Sequence, residues 1–226
     1  MAVLKINPSD INTIIFDFDG TLAHLNIDFQ KMRDVIVSLI LSYGVSGDRL
    51  RSNFVLEMLD ETADIISRRS RREAGAFLDE ANDIIEKMET KAAARGALFD
   101  DTKPLLRSLP LKNISVGIIT RNCAKAVKIV FPDILSYCPV VICRDDVNKV
   151  KPHPEHISLA LARLGSAPEK ALKIGDHPID ITTGRNARTL TCGVLTGRSQ
   201  KDDFIAAGAD MVLANAAEIL KLVTSG

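Results

Sequence analysis

Asp17 and Asp19 stand two residues apart where an apolar run, Ile14-Ile15-Phe16, breaks off, and Gly20-Thr21 follow at once. A hydrophobic strand that stops at paired carboxylates sets acid groups where a ligand can reach them, because open α/β sheets bind at the carboxyl ends of their strands. A carboxylate there can attack phosphorus, which makes Asp17 the candidate nucleophile. Asp19 can then protonate a leaving group and afterwards deprotonate water. That work needs a proton on Asp19 near neutral pH, a state that neighbouring negative charge favours. Three further fragments have the same character: Thr120 after Gly117-Ile118-Ile119, Lys151 before Pro152, and Asp176 with Asp180 in Gly175-Asp176-His177-Pro178-Ile179-Asp180. Hard carboxylate and carbonyl oxygens suit Mg2+, with Asp17, Asp19 (through its backbone carbonyl), Asp176 and Asp180 as its candidate ligands.

The elements around these residues explain how they could meet. Short β-rich runs at 13–17, 114–119, 140–143, 171–174, 191–195 and 211–213 alternate with helical segments near 122–130, 154–164, 178–187, 202–207 and 215–223. Alternation at this spacing predicts a parallel sheet covered on both faces, a doubly wound, Rossmann-like α/β core. Pro154 and Pro178 fall where first helical turns begin, a place that needs no N–H. Between residues 23 and 97 the periodicity is helical throughout. One apolar stripe runs from Phe29 to Tyr43 and stops at Gly44. A second runs from Leu50 through Phe54 to Ile66, and a third from Phe77 to Met88, closed by Gly96. Helices with single apolar faces must bury them on one another. The expected organisation is therefore a catalytic core of residues 1–22 and 98–226 interrupted by an all-helical cap at 23–97.

In order and spacing, the four fragments resemble the signature of the haloacid dehalogenase superfamily. The resemblance covers 13–22 and about 98–200. The cap's insertion point, Arg144-Asp145-Asp146 through Glu155, and Gly184-Arg185-Asn186-Ala187 are similar to its phosphoglycolate phosphatase-like subgroup. The resemblance implies an Mg2+-dependent phosphatase acting on a small phosphorylated metabolite through an aspartyl-phosphate at Asp17, with the cap selecting the leaving group. Phosphate would be gripped by Thr120 with the amides of Arg121 and Asn122, and Lys151 would offset the gathered negative charge. Asp180 would act behind the first ring of ligands or through water. Pyrophosphate hydrolysis and sugar phosphomutase chemistry use the same core and remain alternatives. A dehalogenase needs no Asp19, a phosphonate hydrolase would need a Schiff-base lysine that Lys31, Lys87 and Lys91 do not suggest, and a non-catalytic relative would have lost a motif residue. Two departures stand out. His177 replaces the usual Ser or Thr after the metal-binding aspartate, and Leu22-Ala23-His24-Leu25-Asn26 lacks the subgroup's aspartate.

The remaining features read plainly. Thr120 also suits a helix N-cap. His24 reads as an ordinary loop histidine, and Arg68-Arg69-Ser70-Arg71-Arg72 as a solvated face, the usual fate of such runs, with an anion grip as the alternative. Cys123, Cys138, Cys143 and Cys192 match no zinc spacing and are expected as reduced, partly buried thiols. Lys plus Arg and Asp plus Glu each total 29 in 226 residues, so no basic excess points to nucleic acid. No run reaches the roughly 18 apolar residues of a membrane span. Met1–Pro8 lacks the apolar core of a signal peptide, so a cytoplasmic protein is expected.

Overall fold

The computed structural model describes residues 11–223; the Met1–Pro8 stretch lies outside them. In chain order the elements are β1 (Thr13–Phe16), β2 (Ala23–His24), α1 (Phe29–Ser42), α2 (Val55–Ser67), α3 (Arg71–Ala93), β3 (Ala97–Leu98), α4 (Thr102–Ser108) and β4 (Ser115–Ile119). There follow α5 (Ala124–Val130), β5 (Val140–Ile142), α6 (Glu155–Leu164), β6 (Ala171–Gly175), α7 (Pro178–Asn186), β7 (Leu190–Val194), α8 (Lys201–Ala207) and β8 (Met211–Leu213). Two compact units result: one runs to Leu25 and resumes at Gly96, and the other is Asn26–Arg95.

In the first unit six strands form one sheet in the order β5-β4-β1-β6-β7-β8, and every pairing is parallel. The chain lays down β1, moves outward through β4 and β5, then returns to β1's other side for β6, β7 and β8. β1 is thus the switch point, the place where an open sheet leaves a crevice at its strand ends. α6 packs on β4, β5 and β1, while α7 packs on β6 and β7. Ile15, Ile119, Ile142, Ile157 and Leu161 form the core beneath α6, with little or no exposure. At about 1.5–3 kcal/mol for each large apolar side chain buried, such contacts supply most of the driving force. β2 and β3 make a separate antiparallel ribbon, His24 opposite Ala97.

The α/β core expected from the alternating pattern is observed, with its strands within a residue or so of the expected runs. Pro178 opens α7, whereas Pro154 sits one residue before α6. The segment after β8 is a 3-10 helix, Ala216–Lys221, rather than a longer α-helix.

In the second unit α1 buries Met32, Ile36, Leu39 and Ile40; α2 buries Met58, Leu59, Thr62 and Ile66; α3 buries Ala74, Phe77, Ala81 and Ile85. Asp28 and Ser70 cap α1 and α3, their side chains accepting the amides of Lys31 and Glu73. The second stripe starts later than its apolar residues suggest. Leu50 follows a 3-10 turn at Gly47–Arg49, and Phe54, half exposed, precedes α2.

Candidate active site

Register alone aligns the functional ends of three strands. Phe16 pairs with Ile118 on one side and Ile174 on the other. Continued by one residue, Asp17 lies level with Ile119 and Gly175, so Thr120 and Asp176 stand one step beyond it on either flank. The ladder still holds Asp17, whose amide donates to Ile174 O at 2.8 Å. Residues more than a hundred positions apart in sequence thereby meet at one edge of the sheet.

The loop after β1 is tied down by its own backbone. The amides of Leu22 and Ala23 both donate to Phe18 O, and Gly20 N–H donates to Ala23 O. Gly20 takes φ +81°, a left-handed conformation that a side chain would strain. A Cβ there, or at Gly197 in the loop after β7, would also collide with Asp176 Oδ2. The Asp176 carboxylate thus lies between two bare backbones, and its Oδ1 accepts the Thr21 hydroxyl at 3.3 Å.

Lys151 reaches into this cluster from the loop before α6 and is almost wholly buried. Its Nζ lies 2.7 Å from Asp17 Oδ1 and 2.8 Å from Asp180 Oδ1. A second buried lysine, Lys173 of β6, lies 3.0 Å from the same Asp180 oxygen, whose charge supports its ammonium against a burial that pushes its pKa down. The other Asp180 oxygen, Oδ2, accepts the His177 amide at 3.3 Å. That contact is half of a capping box, since His177 Nδ1 accepts the Ile179 amide at 3.1 Å and closes α7's first turn. His177 thus does for α7 what Ser or Thr does at other helix starts.

On the opposite flank, Thr120 N–H donates to Ile142 O, and Arg121 Nη1 to Lys151 O at 2.5 Å. The Thr120 hydroxyl donates to Asn122 Oδ1 at 2.8 Å and accepts the Asn122 amide at 3.1 Å. The N-cap of α5 is Cys123, not Thr120. This frees Thr120 from helix capping and leaves the contacts of its hydroxyl within the loop.

Electrostatics differ from one carboxylate to the next. Burial, with the negative charge of Asp17 and Asp180 beside it, pushes Asp176 up to about 8. Burial also raises Asp19 to about 6, against the Leu25 amide that its Oδ1 accepts at 2.8 Å. Asp180 goes the other way. Its burial would raise it, but the two ammoniums outweigh burial and hold it below the carboxylate range. The same pairing keeps Lys151 charged, since the charges of Asp17 and Asp180 overcome its burial.

Oxygens of Asp17, Asp176 and Asp180 lie within 4.8 Å of one another, the single such acidic group among the described residues. All are hard donors, and Asp176, raised first by burial, also feels the negative charge of Asp17 and Asp180. A divalent cation would relieve that charge, so the donor set fits Mg2+. Asp17 and Asp176 have the freer oxygens; those of Asp180 are already taken by Lys151, Lys173 and the His177 amide.

Asp17, Asp19, Thr120, Arg121, Asn122, Lys151, Asp176 and Asp180 all fall in this region of the first unit. Sequence reasoning passed over Lys173 and Gly197. A lysine inside the apolar run Ala171–Ile174 was an available signal, whereas Gly197 acts through its backbone and left none. His24 stacks on Phe99 with ring centroids 5.8 Å apart. Within the second unit, Arg69 ties down the end of α1 through Tyr43 O and also bonds Glu73, while Arg68, Arg71 and Arg72 are exposed. All four cysteines are buried and none is in a disulfide, and burial pushes Cys138 and Cys143 up to about 12.

The model of the haloacid dehalogenase-like hydrolases matches residues 14–194. A pyrophosphatase PpaX of Bacillus pumilus is 27% identical over 234 residues, covering 96% of this chain and 99% of its own. A Bacillus cereus pyrophosphatase PpaX is 30% identical over 219 residues, covering 86% and 91%. Among solved structures, a predicted phosphoglycolate phosphatase from Haemophilus somnus superposes with a TM-score of 0.63 at 17% identity, covering 95% of this chain and 99% of that one. At that identity the likeness is one of fold.

Proposed function

Because the chain belongs to the haloacid dehalogenase-like hydrolases and is a phosphatase of that family, we propose that it hydrolyses a small phosphomonoester, phosphoglycolate-like in size and charge, with Mg2+ as cofactor. The observation that carries this reading is the buried Lys151 ammonium 2.7 Å from Asp17 Oδ1 at the end of β1. It fixes the carboxylate in place, as a nucleophile requires.

In the first step an Asp17 oxygen attacks phosphorus while the bond to the leaving oxygen breaks, and Asp19 gives that oxygen its proton. In the second, the Asp19 carboxylate takes a proton from water, the water oxygen attacks phosphorus, and the bond to Asp17 breaks. Asp19, raised to about 6, can change hands with a proton near neutral pH. Lys151 balances negative charge on the phosphoryl oxygens, and the Thr120 hydroxyl with the loop through Arg121 and Asn122 holds them. The carboxylates of Asp17 and Asp176 and the Asp19 carbonyl would hold Mg2+, with Asp180 behind them or linked through water. When bound, the ion supplies positive charge where the transferring group carries its negative charge.

The helical unit, as the cap, is the selector of the leaving group, and the protein works in the cytoplasm. Among the described residues no helix is long and apolar enough to cross a membrane. Pyrophosphate is the second reading, favoured by the relatives named as pyrophosphatases. Orthophosphate release from phosphoglycolate, pyrophosphate and a panel of sugar phosphates, with Mg2+ and with EDTA, tests both. The fastest Mg2+-dependent substrate decides between them, and release equally fast in EDTA would contradict the metal's role.

A further inference from the structure

β6 should be apolar along its whole length. Its other residues, Ala171, Leu172, Ile174 and Gly175, are buried, and Lys173 beside them is wholly buried too. An ammonium in such a place is costly unless it is paired and hydrogen-bonded. Lys173 has partners of an unusual kind. Its Nζ donates to Ile174 O at 2.8 Å and lies 3.0 Å from Asp180 Oδ1. Ile174 O is also the carbonyl that accepts the Asp17 amide at 2.8 Å.

These bonds close a circuit. From the Asp17 amide it passes through Ile174 O to Lys173, on to Asp180 Oδ1, then to Lys151, and returns to Asp17 Oδ1. The nucleophile is therefore held at its backbone and at its carboxylate by one network with Lys173 at the far side. The same ammonium decides what Asp180 can do. Asp180 belongs geometrically to the acidic group that could hold a cation. With two ammoniums on Oδ1 and an amide on Oδ2, its oxygens are directed to protein donors. α7 crosses close over the sheet at Gly184, where a Cβ would come within 2.5 Å of Thr191 Cγ2 and 3.1 Å of Lys173 Cβ.

We propose that Lys173 is a positioning residue that commits Asp180 to anchoring Lys151 instead of ligating the metal, and so fixes Asp17 for attack. This rests on the phosphatase reading only for its effect on turnover; the effect on cation binding stands apart from it. Lys173→Met replaces the ammonium by an apolar chain of similar length. Losing one positive charge beside the acidic group, and freeing an Asp180 oxygen, should tighten Mn2+ binding, measured without substrate by calorimetry, by about tenfold. Loosening Lys151 and Asp17 should lower kcat by about tenfold with KM close to that of the parent protein.

A merely structural lysine would lower the melting temperature and leave the Mn2+ affinity and the kcat of the folded protein unchanged. That result, or weaker Mn2+ binding, would overturn the proposal. If neither protein turns over any phosphoester, the phosphatase reading fails while the Mn2+ titration still decides the role of Lys173. If Lys173→Met does not fold, a crystal structure of the unaltered protein with Mn2+ decides. Lys173 keeping both bonds with Asp180 outside the metal's ligand shell supports the proposal. Asp180 bound directly to Mn2+ with Lys173 displaced contradicts it.

Discussion

At the scale of single residues, one crowded patch of carboxylates is sorted by its neighbours into different tasks. Asp180 is held ionised by two ammoniums, while Asp176 and Asp19 are raised by burial. Asp176 fixes a sign for the pH dependence. Its folded pKa of about 8 lies above its ordinary value, so the metal-free protein binds an extra proton there. Stability from that proton is fully present below about pH 4 and is lost as pH rises through 8. A cation must displace the proton, so Mg2+ should bind more tightly as pH rises from 6 to 8, releasing protons. Calorimetry in buffers of different ionisation enthalpy measures that release, and pH-independent binding without it would contradict the assignment. Asp19→Asn should lower kcat by about 10²–10⁴-fold, the usual worth of a general acid–base group, with folding intact by circular dichroism. Gly197→Ala should weaken Mg2+ binding by driving a methyl group into the Asp176 carboxylate, and an unchanged Mg2+ titration would show that the loop gives way instead. Asp17, Thr120 and Asp176 were legible in the sequence because each ends or follows an apolar run. Lys173 was visible only as an oddity in an apolar run, and Gly197 not at all. A lysine within a strand looks like an interruption until its partners are known, and glycine carries no side chain to announce a contact.

At the scale of elements, the sheet does the assembling. β1 between β4 and β6 brings three strand ends together, and α7's first turn sets Asp180 against both lysines. Removing that carboxylate strands two buried ammoniums. Asp180→Ala should destabilise the first unit by about 3–5 kcal/mol, the usual cost of breaking a buried pair by deleting one partner. Urea unfolding followed by a probe in that unit measures it, and a loss under about 1 kcal/mol would mean that water or another group takes Asp180's place. The alternating pattern made the strands and most helices readable, since period two and period 3.6 differ sharply. Two ends were harder. Leu50 and Phe54 continue an apolar stripe without being helical, and Ala216–Lys221 has helical spacing but winds as a 3-10 helix. Apolar spacing shows which face is buried; it does not show where the hydrogen bonding starts or how tightly the turn winds.

At the scale of the whole molecule, 70 residues of helical chain, Asn26–Arg95, form their own compact unit between two halves of an α/β unit. Its entry and exit lie side by side, because His24 pairs with Ala97 across the β2–β3 ribbon. A short Asn-Gly turn could therefore replace Asn26–Arg95 without stretching the core. The shortened chain should fold cooperatively and still bind Mg2+, as its melting temperature with and without the ion would report; a chain that fails to fold would make the helical unit part of the core's stability. The central claim, that phosphate passes through Asp17, is tested most directly by trapping the intermediate. Protein turning over a labelled phosphoester with Mg2+ is quenched in acid, and its peptides are mapped by mass spectrometry. Phosphate on the peptide carrying Asp17, absent from Asp17→Asn, is the predicted result. Turnover with no phosphorylated peptide, or undiminished turnover by Asp17→Asn, would contradict the account.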